Sequence, residues 1–277
     1  MTLTKAVILG IVQGLTEPLP ISSSAHLVII PALIPGFQQP SVFFDVVLHL
    51  GTLVAVVFFL RKDIAGIIAS LLPETWGTDI FPATKGEERT VNRRLALLII
   101  VATFLTGVIG VLFKDRIERL FESVETTAVM LCITGILLFL SDRVKKAERE
   151  KSAMTLTDGI VIGLVQAVAL IPGISRSGST ITFGIFRGLS RETAARFSFL
   201  LSIPAIAGAV VLKTAGMTQI SPGDLIALGA GFLTAAVTGF LALKLLFAII
   251  TRTGLGIFAY YCWVAGAATL IFRSLQL

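Results

Sequence analysis

The residues able to do chemistry gather in two short stretches of an otherwise apolar chain. The first is Gln13-Gly-Leu-Thr-Glu-Pro-Leu-Pro-Ile-Ser-Ser-Ser-Ala-His26, and the second is Pro172-Gly-Ile-Ser-Arg-Ser-Gly178, followed by Ser179 and Thr180. Together they supply one carboxylate, one imidazole, one guanidinium and several hydroxyls. Arg176 precedes a helix start, and backbone N–H groups at a helix N-terminus with a planar guanidinium make a phosphate site. Ser22, Ser175, Ser177 and Thr180 add hydroxyl donors to it. The same arginine could instead pair with Glu17 and hold the two stretches together.

Gln13 and Glu17 are spaced i,i+4 and share a helix face. Oxygen ligands of this kind suit Mg²⁺ or Ca²⁺ when phosphate oxygens fill the remaining positions. A helix–helix hydrogen bond is the plainer use of Gln13. Ser23 and His26 are spaced i,i+3, so a hydroxyl lies near an imidazole that can deprotonate it for attack on phosphorus. His26 could equally act as a general acid for the departing group. Asp45 and His49 repeat an i,i+4 polar pattern on the next apolar run, as a rim or outer layer of the site.

The elements that must position these groups are membrane helices. Of 277 residues, 55% are apolar and 14% charged, and the mean hydropathy is +0.92. Globular chains carry about 25% charged residues, so this chain cannot cover a water-facing surface. That argues against a soluble enzyme, a nucleic-acid-binding domain and a disordered protein. The long continuous apolar runs predict helices rather than a barrel. Cys132 and Cys262 lie within such runs, with no ligand spacing, and read as core residues without a disulfide or metal. Gln13 and Glu17 interrupt the first apolar stretch, so it is expected to stay in the mature protein rather than leave as a signal peptide.

The chain also repeats itself. Ile8-Leu-Gly-Ile-Val-Gln13 aligns with Val161-Ile-Gly-Leu-Val-Gln166, Ile21-Ser-Ser-Ser24 with Ile174-Ser-Arg-Ser177, and Phe44 with Phe197. Phe104-Leu-Thr106 and Phe232-Leu-Thr234 match at a shorter offset. Two repeats are expected, 1–150 and 151–277. Each opens with a pair of helices broken at Pro and Ser/Gly, spanning 3–32 and 156–187. An arm of 13 residues reaches roughly 20 Å, short of a hydrocarbon core about 30 Å thick. The pairs therefore read as re-entrant hairpins lining a cavity.

Three longer runs follow in each repeat: Phe43–Leu60, Leu95–Phe113 and Thr126–Leu140, then Thr193–Leu212, Leu225–Ile250 and Leu255–Phe272. The expected fold is an all-α integral membrane protein with six transmembrane helices and two re-entrant hairpins. An odd number of spans per repeat makes the second copy inverted, which brings both hairpin tips to mid-membrane. The segments 61–94, 142–157, 187–196 and 250–254 hold 15 Lys/Arg, against 6 on the other side. Both termini are thus expected outside. Gln166 has Leu170 where Gln13 has Glu17, so it is expected to be structural. The stretch around Trp76 and Lys85-Gly-Glu-Glu-Arg89 is expected to be a long cytoplasmic loop.

The two motifs, in this order and spacing, resemble the signatures of the BacA/UppP family of undecaprenyl-diphosphate phosphatases. The likeness extends to Phe44-Asp-Val-Val-Leu-His-Leu-Gly51 and Gly188-Leu-Ser-Arg191. It implies a bacterial inner-membrane enzyme that converts undecaprenyl diphosphate to the monophosphate and inorganic phosphate. That reaction recycles the lipid carrier of peptidoglycan synthesis and is associated with bacitracin resistance. The resemblance also implies a divalent cation and a polyprenyl diphosphate partner held among membrane lipid, with room for a homodimer. It makes Glu17 the second acidic residue of the motif, Ser23 the nucleophile or phosphate-positioning serine, His26 the histidine and Arg176 the phosphate-binding arginine. Gln13 stands where many members carry glutamate, and Pro18 where phenylalanine is usual. The rival reading is an inverted-repeat transporter that flips a polyprenyl phosphate without hydrolysis. A carrier has no use for a nucleophile beside a base.

Overall fold

The computed structural model describes residues 2–33, 42–73, 86–144, 148–214 and 225–276. Among these residues the fold is helical, with no strand. The chain opens with a short pair, α1 (Leu3–Thr16) and α2 (Ser23–Leu33), and a second short pair, α8 (Leu156–Val168) and α9 (Arg176–Phe186), stands past its middle. After the first pair come α3 (Val42–Phe59), α4 (Arg61–Leu71), α5 (Gly86–Leu112), α6 (Lys114–Leu120) and α7 (Val124–Ser141). After the second come α10 (Arg191–Thr214), α11 (Leu225–Arg252) and α12 (Gly256–Gln276).

Helices α5, α7, α10, α11 and α12 are long and apolar enough to cross a membrane. Helices α3 and α4 pass the same test only together, bent by 75° at Leu60, which brings the count to six. The chain is a multi-pass membrane protein. Two helices depart from expectation. Helix α4 lies where the charged composition of 61–94 predicts a loop, because its apolar residues still fall on one face while Arg61, Lys62 and Asp63 crowd its first turn. Helix α6 is too short and too charged to register as an apolar period. Trp76 and Lys85 lie outside the described residues, while Gly86 to Arg89, expected in the same loop, form the first turn of α5.

The short arms pack across the repeats. Helix α1 runs along α11 and α8 along α5, so each arm leans on a long helix of the other half. Small residues permit the approach, as is usual where lipid offers no hydrophobic drive to association. A side chain at Gly10 would collide with Thr234 and the Gly231 carbonyl, and one at Gly163 with Ala102. Beside the second contact, Thr106 donates to the Gly163 carbonyl (3.1 Å), and Gln166 donates to Thr106 Oγ1 (3.1 Å). Gln166 is thereby a packing residue.

The base of the second hairpin is pinned by Asp158, which is fully buried. Its carboxylate accepts from Arg149 Nη2 (2.8 Å), Arg187 Nε (2.8 Å) and the Thr155 backbone (2.8 Å). A buried carboxylate needs such partners to offset its desolvation. They fix where α8 and α9 begin and end, and so where the tip between them stands.

Candidate active site

Proline and glycine make both tips. Pro18 and Pro20 stop α1 from continuing, and its last backbone bond runs from the Glu17 N–H to the Gln13 carbonyl (2.9 Å). Ser22 has φ 63°, a left-handed conformation that costs a non-glycine residue of order 1 kcal/mol and is tolerated where surroundings fix it. That turn aims Ser23, the first residue of α2, back toward Glu17. In the second tip Gly173 has φ +95°, and a side chain there would run into the Thr127 carbonyl. Ser175 caps α9 by accepting from the Gly178 N–H (3.1 Å).

The tips meet. Arg176 Nη2 donates to Glu17 Oε1 at 2.9 Å, the Gly173 N–H to Ser24 Oγ at 3.4 Å and Ser177 Oγ to the Leu19 carbonyl at 3.4 Å. Ser23 Oγ donates to the second Glu17 oxygen, Oε2, at 2.6 Å, a short hydrogen bond of the charge-assisted kind. The cavity between the tips, about 220 Å³, is lined by Glu17, Ser22, Ser23, Ser24, Ser175, Arg176 and Ser177. His49 from α3 completes this polar end, and Leu170, Ile206, Ala209 and Val210 form an apolar wall. Arg176 Nη1 is buried and has no hydrogen-bond partner among the described residues. A phosphate oxygen is the natural acceptor for such a group.

Two expectations are corrected. His26 does not reach Ser23. Its Nδ1 lies 2.8 Å from the Ser22 carbonyl, and its Nε2 lies 2.7 Å from the Tyr261 hydroxyl, on whose ring it stacks. The ring borders an apolar groove with Leu131, Tyr261 and Ala265 instead of the cavity. A spacing of three puts two residues near one face, but Ser23 is drawn back to Glu17 while Tyr261 draws His26 outward. Thr180 is likewise absent from the lining: one turn inside α9, its hydroxyl bonds the Arg176 carbonyl (2.8 Å) and Ser198 Oγ (2.6 Å).

The two residues expected to hold a cation, Glu17 and Gln13, stand side by side. Among the described residues no three His, Cys, Asp or Glu side chains are grouped to hold a metal ion. Both Glu17 oxygens already accept hydrogen bonds, and Gln13 turns its amide nitrogen to Glu17 Oε2 (3.2 Å). Gln13 is buried behind Glu17 and supports it. Glu17 and Gln13 thus form an ion-pair and hydrogen-bond cluster, and one carboxylate with an amide is a set that would hold Mg²⁺ or Ca²⁺ only when substrate phosphate oxygens complete it.

Asp45 lies outside the lining, its Oδ1 buried without a hydrogen-bond partner among the described residues. Its neighbour His49, expected only at a rim, places Nε2 3.7 Å from Glu17 Oε2. Charge pattern gave little notice of this, because an i,i+4 Asp–His pair does not say which member faces the tips.

A Ser–Glu–Arg cluster at the junction of two hairpins, with a phosphate-sized polar end, is the arrangement that the family motifs lead one to expect. Comparison with known proteins decides the matter: the family described as Bacitracin resistance protein BacA matches residues 6–268. The chain belongs to the BacA family. Its similarity to curated members spans nearly the whole length. An undecaprenyl-diphosphatase from Methanosphaera stadtmanae is 42% identical over 275 residues, covering 98% of each chain. That of Methanobrevibacter smithii is 43% identical over 267 residues, 96% of each chain. The Halothermothrix orenii protein of the same name is 39% identical over 277 residues, 99% of this chain and 100% of its own. The BacA match takes in both tips, α3 with His49 and the pinning residue Asp158.

Proposed function

We infer that this chain is an undecaprenyl-diphosphatase, hydrolysing the diphosphate lipid to its monophosphate and inorganic phosphate. The observation that carries the mechanism is the double engagement of Glu17, with Arg176 on one oxygen and Ser23 on the other. Phosphoryl transfer is chiefly a matter of positioning and charge neutralisation. Arg176 supplies both: Nη1 and the N-terminal end of α9 take the oxygens of the terminal phosphate. Ser23 Oγ then attacks phosphorus in line with the bridging oxygen, and the bond to that oxygen breaks. Its electron pair leaves with the lipid monophosphate. Glu17 Oε2 is placed to receive the Ser23 proton. Ser22, Ser175 and Ser177 offer further donors around the phosphate. The apolar wall of Leu170, Ile206 and Ala209 suits the prenyl chain where it leaves the diphosphate.

The same reading assigns a face. The cavity opens beside Phe121 and Lys213, which belong to the side poor in Lys and Arg. Lys62, Lys151 and Arg196 line a separate polar cavity on the side rich in them. By the positive-inside rule the phosphatase cavity opens to the outer face of the cytoplasmic membrane, with both termini outside. A transporter has no need of a serine hydrogen-bonded to a carboxylate, and hydrolysis accounts for that pair.

The test is phosphate release from undecaprenyl diphosphate by purified protein, with Mg²⁺, with Ca²⁺ and with chelator. Release in any of these conditions supports the reading, and none in all of them overturns it.

A further inference from the structure

The chain has two histidines, and they are held alike. In each, Nδ1 lies 2.8 Å from the backbone carbonyl four residues earlier, Ser22 for His26 and Asp45 for His49. A carbonyl only accepts, so in the neutral ring Nδ1 carries the hydrogen and Nε2 the lone pair. The two lone pairs meet different surroundings. That of His26 accepts from the Tyr261 hydroxyl outside the cavity. That of His49 faces the cavity, 3.7 Å from Glu17 Oε2, the oxygen that accepts the Ser23 hydrogen at 2.6 Å. Ser23, Glu17 Oε2 and His49 Nε2 therefore stand in sequence.

We propose that His49 is the terminal proton acceptor of the reaction, taking the Ser23 proton by way of Glu17. The proposal rests on the phosphatase reading above and adds to it the path of the proton. In the first half-reaction the Ser23 Oγ–P bond forms, the P–O bond to the bridging oxygen breaks, and the lipid monophosphate leaves with the electron pair. The Oγ proton passes to Glu17 Oε2 and on to His49 Nε2, giving an imidazolium. Glu17 is thus ionised again and keeps its pairing with Arg176. In the second half-reaction water adds to phosphorus and the Oγ–P bond breaks. One water hydrogen returns to Oγ, the other stays on the phosphate, and His49 releases its proton to solvent. One proton is freed for each diphosphate trianion hydrolysed, and His49 is the group that carries it out.

The charges around His49 suit this. On its own helix the nearest is Asp45; the hairpin brings Glu17, α9 brings Arg176 and α10 brings Lys213 to the same cavity. Helix α11 meets α3 near Gly51 with Phe232, Ala235 and Ala236, none of them titratable. Two carboxylates and two cations thus surround the ring. A His49 already carrying a proton on Nε2 cannot accept another, so the relay makes the acid-side loss of activity depend on this residue.

His49→Gln and His49→Ala, compared with His26→Ala, test the assignment on full-length protein in detergent, with phosphate release measured from pH 5 to 9. Wild type is expected to lose activity on the acidic side. His49→Gln should lower kcat at least tenfold at neutral pH, change KM less than twofold, and lack that acidic limb. Added imidazole should restore activity to His49→Ala. His26→Ala should keep the acidic limb at whatever rate it retains. A His49→Gln enzyme with the wild-type limb, or a His49→Ala enzyme deaf to imidazole, overturns the relay while leaving the phosphatase reading in place. Wild-type protein that releases no phosphate at all overturns both.

Discussion

Arg176 and Glu17 stand 159 positions apart and meet at 2.9 Å, each at the tip of a different hairpin. The contact is at once a fastening and a poised site. One guanidinium nitrogen joins the repeats, while the other, buried and unpartnered among the described residues, is left for substrate.

Arg176→Lys keeps the charge but loses the fork that serves Glu17 and phosphate together. Turnover of undecaprenyl diphosphate should fall at least tenfold, about 1.4 kcal/mol of transition-state stabilisation. Near-normal turnover in folded protein would reduce Arg176 to a structural partner.

Glu17→Gln removes the oxygen that accepts the Ser23 proton and leaves Arg176 without its counter-charge. Loss of a positioned base costs on the order of a hundredfold or more. Because both Glu17 oxygens are engaged by Arg176 and Ser23, raising Mg²⁺ or Ca²⁺ should not restore the rate. A metal titration that rescues the variant would return Glu17 to the role of ligand.

Gln13→Ala tests the same point from behind. Its amide nitrogen steadies Glu17 at 3.2 Å, so the variant should lose a few-fold in kcat through a looser carboxylate. The cation concentration giving half-maximal activity should stay within twofold of wild type. A large rise in that concentration would show that Gln13 supplies oxygen to a metal after all.

Cysteines at positions 23 and 177, in a background lacking Cys132 and Cys262, should be joined by a short bifunctional thiol reagent. The tips touch through the Ser177–Leu19 and Gly173–Ser24 contacts. A non-hydrolysable polyprenyl diphosphate should protect both positions. Two singly reactive cysteines that never crosslink would separate the tips.

Gly163→Val places a branched side chain against the Ala102 backbone, where even a Cβ is too close. Overpacking of this kind costs about 1–3 kcal/mol. The variant should melt several degrees lower in detergent, whereas Gly208→Ala, inside α10 with no close neighbour among the described residues, should melt no lower than wild type.

Much of this protein is determined by sequence alone, for reasons peculiar to a membrane. Hydrocarbon forces backbone hydrogen bonds to close within a helix, so apolar length and Pro/Gly interruptions announce spans and hairpins directly. The runs beginning at Leu225 and Leu255 reappear as α11 and α12 within a few residues. Polar groups at depth are costly, so Glu17, Ser23 and Arg176 mark the site by residue type and position in an apolar chain. Helix α4 was hidden because charge at one end masks an amphipathic stretch. What only the tertiary structure decided is which neighbour each side chain answers. Spacing along one helix joins Ser23 to His26 and Gln13 to a cation, but direction is set by third parties from distant sequence. Tyr261, 235 positions on, takes the His26 lone pair, while Glu17 takes the Gln13 amide and faces His49 across the cavity. A hydrogen bond is directional and short, so its partner is fixed by where the other helices pack, and periodicity carries no record of that.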